Sequence, residues 1–133
     1  MTIPESADAP SLGVLALTTR PVHLPGAMSN PASHPYPVRF LEVPGAHTEV
    51  VVGDDAQIVG AYIDGARQLE REGVAAITSN CGFTARFQPQ VASAVSVPVA
   101  LSSLLLVPWV ARTIPPGTRV GMVTFDAERL AER

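Results

Sequence analysis

The chain has one cysteine, Cys81, within a short polar stretch, residues 78–84. The mainly apolar residues 74–78 predict a buried strand, and the residues after the cysteine predict the start of a helix. Ligands of open parallel sheets bind just past the carboxyl ends of strands, so this stretch is a candidate site. Free backbone amides at a helix start would lower the pKa of a neighbouring thiol. The chemistry that this arrangement favours is proton transfer or nucleophilic attack by sulfur.

The residues beside Cys81 are suited to binding a small acid. Gly82 lets the backbone approach a ligand closely, and free amides at a helix start favour an anion such as a carboxylate. Ser79, Asn80 and Thr84 have short side chains that can hydrogen-bond a carboxylate. A free cysteine is also commonly a small buried hydrophobic residue, and spacing alone does not separate the two roles.

Two other predicted strand ends carry polar residues. Ser102 and Ser103 follow a strand predicted over residues 97–101. Residues 18–20 end a strand predicted over residues 12–18 and enter a proline-rich loop that continues to residue 37. Both strand ends are further candidate sites, because ligands bind just past the carboxyl ends of parallel strands. The long loop is a second reason for the first strand, since loops of this length are uncommon inside a compact domain and are often functional.

Strands and helices alternate along the rest of the chain. Further strands are predicted over residues 38–43 and 120–125. The predicted helices run from Asp54 or Asp55 to about Glu72, over residues 83–95 with a kink or break at Pro89, from Ser102 or Ser103 to about Arg112, and onward from Asp126. This alternation predicts βαβ units around a parallel sheet. The predicted fold class is therefore α/β, a flavodoxin-like doubly wound parallel sheet of four to five strands.

The same pattern divides the chain into three parts. Residues 1–10 are predicted to be a disordered tail. Residues 11–117 form the α/β lobe that carries the Cys81 stretch. Residues 118–133 are either the start of a truncated second lobe or an added strand and helix.

Composition excludes several classes of function. The chain has 133 residues, of which 47% are hydrophobic and 16% are charged, which predicts one globular domain with its own core. A net charge of −3 without any basic run argues against a nucleic-acid partner. No apolar run is long enough to span a bilayer and no signal peptide is recognisable, so we expect no membrane partner and a cytoplasmic location.

The sequence also predicts neither a cofactor nor a metal ion. It contains no glycine-rich dinucleotide or Walker motif. His23, His34 and His47 fall in predicted loops, and they lack the short ligand spacing of zinc sites.

Four stretches, taken together, resemble a known family. They are residues 73–83 (GVAAITSNCGF), 97–103 (VPVALSS), 119–124 (RVGMVT) and 25–31 (PGAMSNP). The first is similar to the first cysteine motif of the aspartate/glutamate racemase superfamily, in its amino-terminal lobe. Relatives in that superfamily include hydantoin racemases, arylmalonate decarboxylases and maleate isomerases. The resemblance extends from about residue 11 to the end of the chain.

This resemblance implies a racemase- or isomerase-like enzyme without a cofactor. Cys81 would be the acid and base in proton transfer at the α-carbon of a small carboxylate. The implied substrate-binding residues are Asn80, Thr84, Ser79, Gly82, Asn30, Ser102 and Ser103. Members of the superfamily have two lobes, each with one cysteine, whereas this chain has Cys81 alone. The resemblance therefore implies a truncated gene product, a chain that works with another chain, or a protein that does not catalyse.

Other functions stay open at this point. A lobe without its second half would expose an apolar face, so a homo-oligomer or a missing second lobe is expected. A non-catalytic, flavodoxin-like binding or assembly module is the alternative function. A cysteine hydrolase would need a histidine close to Cys81 in space. Trp109 is interpreted as core or interface, and Arg20 and Arg86 as residues near the pocket rim that could attract an acidic substrate.

Overall fold

Four parallel strands form one sheet at the centre of the protein. The computed structural model describes residues 9–18, 24–53 and 57–131. Within these ranges the strands are β1 (Leu12–Ala16), β2 (Val38–Glu42), β3 (Ala76–Ser79) and β4 (Val99–Ala100). They lie in the order β2-β1-β3-β4, and every neighbouring pair is parallel. The predicted α/β, flavodoxin-like sheet is therefore confirmed, with four strands.

Strand β1 is one of the two inner strands of the sheet. Leu12 pairs with Val38 of β2 on one side and with Ala76 of β3 on the other. Val14 and Leu15 are fully buried although their side chains point to opposite faces. Burial of both faces is typical of parallel sheets covered by helices, and it explains why this strand is continuously apolar.

Five α-helices and three 3₁₀ helices connect and cover the strands. The α-helices are α1 (Thr48–Gly53), α2 (Ile58–Arg71), α3 (Gln88–Ala92), α4 (Val107–Thr113) and α5 (Ala127–Ala131) within the described ranges. The 3₁₀ helices span Pro31–Ser33, Gly82–Phe87 and Ser103–Leu106. None of the helices in the described ranges has the length and apolar character that crossing a membrane requires.

Helix α2 packs very closely on the sheet through two glycines. A methyl group on Gly65 would lie 2.9 Å from Cδ2 of Leu15 and 3.1 Å from Cδ2 of Leu41. A methyl group on Gly13 of β1 would lie 2.9 Å from Cδ1 of Leu69. All three distances are shorter than carbon atoms normally approach, so this spacing between helix and sheet depends on the two glycines.

The structure corrects several sequence-based boundaries. Residues 83–95 are not one kinked helix but the 3₁₀ helix Gly82–Phe87 followed by α3. Pro89 lies in the first turn of α3, where the missing amide hydrogen costs no helical hydrogen bond. Helix α1 was not predicted. The expected caps Asp54 and Asp55, like residues 1–8 of the predicted tail, lie outside the described residues.

The predicted fifth strand is wrong. Residues 120–125 have no regular secondary structure and pair with none of the four strands. Met122, Val123 and Phe125 in this segment are exposed. The predicted cap of the last helix agrees with the structure, since Oδ1 of Asp126 accepts a hydrogen bond from the backbone N–H of Arg129 at 3.0 Å.

Candidate functional site

A pocket of about 360 Å³ opens beyond the carboxyl ends of β3 and β4. Its walls are formed by Thr48, Val52, Asn80, Cys81, Gly82, Phe83, Ser102, Ser103, Leu104, Val123, Thr124 and Phe125. Five of the predicted site residues meet here, namely Asn80, Cys81, Gly82, Ser102 and Ser103. The sheet topology explains this meeting, because neighbouring parallel strands end at the same edge.

Cys81 is partly exposed at this edge, in an extended conformation directly before the 3₁₀ helix Gly82–Phe87. Burial raises the pKa of the Cys81 thiol, while the backbone amides of Phe83 and Thr84 and the charge of Arg86 lower it by less. The backbone amides thus lower the thiol pKa as predicted, but burial raises it by more. The expectation of a thiol with a lowered pKa is therefore wrong.

Asn80 joins the end of β3 to the end of β1. Its backbone N–H donates to the carbonyl of Leu15 at 3.2 Å. Its side-chain Oδ1 accepts from the backbone N–H of Leu17 at 3.0 Å. The Nδ2 group has no hydrogen-bond partner among the described residues, so this donor is available to a molecule in the pocket.

Ser79 and Thr84 lie beneath the pocket instead of lining it. Ser79 is buried, and its hydroxyl oxygen accepts from the backbone N–H of Cys81 at 3.3 Å. Thr84 is fully buried, and its hydroxyl lies 2.6 Å from the carbonyl oxygen of Cys81 and 2.9 Å from that of Leu101. Both side chains shape the turn that carries Cys81. The expectation that Thr84 holds a substrate carboxylate is corrected, because its one hydroxyl hydrogen is used by these buried carbonyls.

Gly82 and Ser102 are neighbours in the wall of the pocket. A methyl group on Gly82 would lie 3.8 Å from the Oγ atom of Ser102. Ser102 Oγ accepts a hydrogen bond from the backbone N–H of Leu104 at 3.2 Å, which caps the 3₁₀ helix Ser103–Leu106. Ser103 is exposed and contributes a second hydroxyl to the same wall.

Asn30 does not line the pocket, which corrects its predicted role. Its Oδ1 accepts from the backbone N–H of Ala32 at 3.0 Å, and its Nδ2 donates to the carbonyl of Leu24 at 3.2 Å. Both contacts are local and stabilise the start of the 3₁₀ helix Pro31–Ser33. At the end of β1, the hydroxyl of Thr18 donates to the carbonyl of Val43 at 2.8 Å, so this strand end also has a structural role.

Several pocket residues were missed from the sequence. Thr48 and Val52 come from α1, whose only sequence signal is a threonine before a short apolar run. Val123, Thr124 and Phe125 belong to the segment that was predicted as a strand. Nothing in their own sequence pattern places them beside Cys81.

Arg86 lines a different cavity. That neighbouring cavity, of about 690 Å³, is lined by Phe83, Ala85, Arg86, Leu104, Val107, Pro108, Met122, Arg129 and Leu130. The guanidinium carbon of Arg86 lies 5.9 Å from the centre of the Phe83 ring. Its Nε donates to the carbonyl of Phe83 at 3.2 Å. Arg86 therefore supports the 3₁₀ helix Gly82–Phe87 from behind the Cys81 pocket, while Arg20 lies outside the described residues.

Two other expectations concern metal ions and Trp109. Within residues 9–18, 24–53 and 57–131, no group of three or more histidine, cysteine or carboxylate side chains could hold a metal ion. His23 lies outside these ranges.

Trp109 is 65% exposed, so it is not a core residue, while its role at an interface stays a prediction.

Comparisons with known proteins find relatives that are named as lyases. Dimethylsulfoniopropionate lyase 3 of Emiliania huxleyi is 33% identical over 126 residues, which cover 93% of this chain and 33% of the relative. Dimethylsulfoniopropionate lyase of Durusdinium sp. clade D is 33% identical over 123 residues, covering 90% of this chain and 41% of the relative. No family model and no solved structure matches the chain.

The chain therefore spans between a third and about two fifths of the length of these relatives. The names of these relatives contradict the expected racemase or isomerase, because all of them are named as lyases. The resemblance to the aspartate/glutamate racemase superfamily depends on four short stretches, two of which contain strands of a common fold. It is corrected here: the proteins that are similar over nine tenths of the chain are named dimethylsulfoniopropionate lyases.

Proposed function

We propose that this chain forms the part of a dimethylsulfoniopropionate lyase that removes a proton from the substrate, with Cys81 as the base. The observation that carries the proposal is the similarity to proteins named as such lyases, which extends over 93% of the chain and includes the Cys81 pocket. Because the chain corresponds to only part of these relatives, the activity of the whole protein is part of the proposal.

The chemistry of the substrate defines what such a site must do. Dimethylsulfoniopropionate carries a carboxylate at one end and a dimethylsulfonium cation two carbon atoms away. A base removes a proton from the carbon next to the carboxylate, and the electron pair of that C–H bond forms a carbon–carbon double bond. The C–S bond breaks, and its electron pair leaves on sulfur as dimethyl sulfide. Acrylate remains, and the proton stays on the base.

The residues of the pocket match these requirements. The Cys81 thiolate takes the proton, and the free Nδ2 donor of Asn80 binds the substrate carboxylate. Ser103, which also lines the pocket, adds a hydroxyl donor. Phe125 lines the pocket and is 82% exposed, so the face of its ring can attract the sulfonium cation.

The raised pKa of Cys81 is compatible with a base that works above neutral pH. The thiol is the main form at neutral pH because burial disfavours the thiolate. A thiolate with a higher pKa is also a stronger base once it has formed. The rate of elimination is therefore expected to rise with pH until the thiol is fully ionised.

Product analysis and a binding measurement together test this proposal. The purified chain is incubated with dimethylsulfoniopropionate, and dimethyl sulfide and acrylate are quantified separately, with Cys81→Ala as the control. We expect equal amounts of the two products from the wild type. We also expect dimethylsulfoniopropionate to slow the alkylation of Cys81 by iodoacetamide. A chain that releases neither product, and whose alkylation the substrate leaves unchanged, would overturn the proposal.

A further inference from the structure

The cavity that Arg86 lines is larger than the Cys81 pocket beside it. Its volume of about 690 Å³ falls within the range of about 300–1,000 Å³ that is typical of small-molecule sites. The two cavities share Phe83 and Leu104 in their walls, but Cys81 lines only the smaller one. The larger cavity is therefore a separate space, and the proposed lyase reaction assigns no role to it.

The lining of this larger cavity is apolar except for two positive charges. Seven of its nine described residues have apolar side chains, which favours the apolar part of a ligand. The other two are Arg86 and Arg129, and no carboxylate is among the described residues of the lining. The wall therefore matches a molecule that combines an apolar body with a negative charge.

Arg86 is held at the cavity wall by contacts with its own 3₁₀ helix. Its Nε donates to the carbonyl of Phe83 at 3.2 Å. Its guanidinium carbon lies 5.9 Å from the centre of the Phe83 ring and 5.8 Å from that of Phe87. These contacts place a positive charge beside an apolar surface. A guanidinium group is well suited to binding a carboxylate or a phosphate.

Arg129 of α5 brings the second positive charge to the cavity. Its Nε lies 3.8 Å from Oδ2 of Asp126, and the two side chains are 54% and 33% exposed. Exposed ion pairs contribute little to stability, so a bound anion can compete with Asp126 for the guanidinium.

We propose that this cavity binds an amphipathic anion, a molecule with an apolar body and one negatively charged head group. The apolar body lies against the seven apolar residues, and its removal from water drives binding. The head group lies at Arg86 and Arg129, which select a negative charge over a neutral or positive one. The proposal goes beyond the lyase reaction and does not depend on it.

Three eight-carbon probes test the selection by charge. Octanoate, octanol and octylammonium are titrated into the full chain by isothermal calorimetry. We expect octanoate to bind once per chain, octanol more weakly and octylammonium most weakly. Arg129→Gln should weaken octanoate binding by about two- to fivefold, as the loss of one exposed charge implies, and leave octanol unchanged. Arg112→Gln is the matched control, because Arg112 of α4 is exposed and does not line the cavity.

Val107→Phe tests the place of binding. Val107 lines only the larger cavity, and the added ring fills part of it. We expect an octanoate affinity at least about fivefold lower, because the ligand and the new ring overlap. Val110→Phe makes the same change in the same helix at a residue that lines neither cavity, and should bind octanoate like the wild type. Thermal melting checks that both variants are folded.

Three results would overturn the proposal. They are no octanoate binding, equal binding of octanoate and octylammonium, and an octanoate affinity that Val107→Phe leaves unchanged, which would place the probe in another site. A dimer that Val107→Phe dissociates, found by sedimentation in a chain that does not bind octanoate, would make this wall an interface between two copies instead. None of these measurements requires turnover, so their failure would leave the proposed lyase function in place.

Discussion

The side-chain oxygen of Asn80 accepts a hydrogen bond from the backbone N–H of Leu17, 3.0 Å away, and this contact joins the ends of β3 and β1. The same hydrogen bond fixes the orientation of the Asn80 side-chain amide. Asn80 lines the pocket, so its Nδ2 group is a donor at the pocket wall. One side chain therefore holds two strand ends together and presents a donor to the site.

Asn80→Asp separates these two functions of Asn80. A carboxylate can still accept the hydrogen bond from Leu17, so the fold should be retained, but the Nδ2 donor is replaced by a negative charge. We expect KM for dimethylsulfoniopropionate to rise by about tenfold or more, since a charged hydrogen bond of about 1.5–3 kcal/mol is lost. Thermal melting checks the fold and steady-state kinetics check KM. An unchanged KM would show that Asn80 does not bind the carboxylate.

Gly82→Ala should narrow the pocket without disturbing the fold. The added methyl group would have its nearest contact at 3.8 Å, with Oγ of Ser102, and the backbone of Gly82 does not have a positive φ. The melting temperature should therefore stay close to that of the wild type, whereas the protection of Cys81 by dimethylsulfoniopropionate against alkylation should weaken. Gly60→Ala, at an exposed position of α2 with no atom within 4 Å, is the control. Equal protection in both variants would argue against a ligand at this wall.

Gly65→Ala should destabilise the fold, because its methyl group would lie 2.9 Å from Leu15 and 3.1 Å from Leu41. We expect a loss of about 1–3 kcal/mol in the free energy of unfolding, as for other overpacked cores. Gly60→Ala in the same helix meets no atom within 4 Å and should instead stabilise the protein by up to about 1 kcal/mol. Urea denaturation measures both variants. A similar change in the two would contradict the close packing of α2 on the sheet.

The stability of the protein should fall in alkaline solution partly because of Cys81. Burial raises the pKa of its thiol above the value in the unfolded chain. The folded state therefore binds the proton more tightly, and this contribution is complete below the unfolded pKa and is lost as pH rises towards the folded pKa. The unfolding free energy of the wild type relative to Cys81→Ser should be constant near neutral pH and decline at alkaline pH. Denaturation at a series of pH values measures it, and an increase with pH would contradict the stated shift.

The sequence predicted the strands and the Cys81 turn because their signals are local. Residues 74–77 are apolar, Asn80 and Gly82 mark a turn, and parallel pairing then brings this turn beside Ser102. The burial of Thr84 could not be predicted, since its hydroxyl contacts the carbonyl of Leu101 from another strand end. Such contacts depend on the tertiary fold and leave no trace in local spacing.

In the C-terminal part, the local sequence pattern predicted a strand that the structure does not contain. Residues 120–125 have the apolar pattern of a strand, but a strand also needs a neighbour with which to pair, and they pair with none in the described sheet. Phe125 instead lies at the rim of the Cys81 pocket. Residue types alone also identified a thiol at a strand end, but they could not show that burial outweighs the backbone amides in setting its pKa.

The most direct test is the rate of dimethyl sulfide release from dimethylsulfoniopropionate by the wild type and by Cys81→Ser, measured by gas chromatography at several pH values. Serine keeps the shape of the side chain but does not ionise in this range. A general base contributes about 10²–10⁴-fold to a rate. The rate should therefore fall by at least about 100-fold in the variant and lose its rise with pH, while the melting temperature is unchanged. Equal rates of release in the two proteins would contradict the role of Cys81.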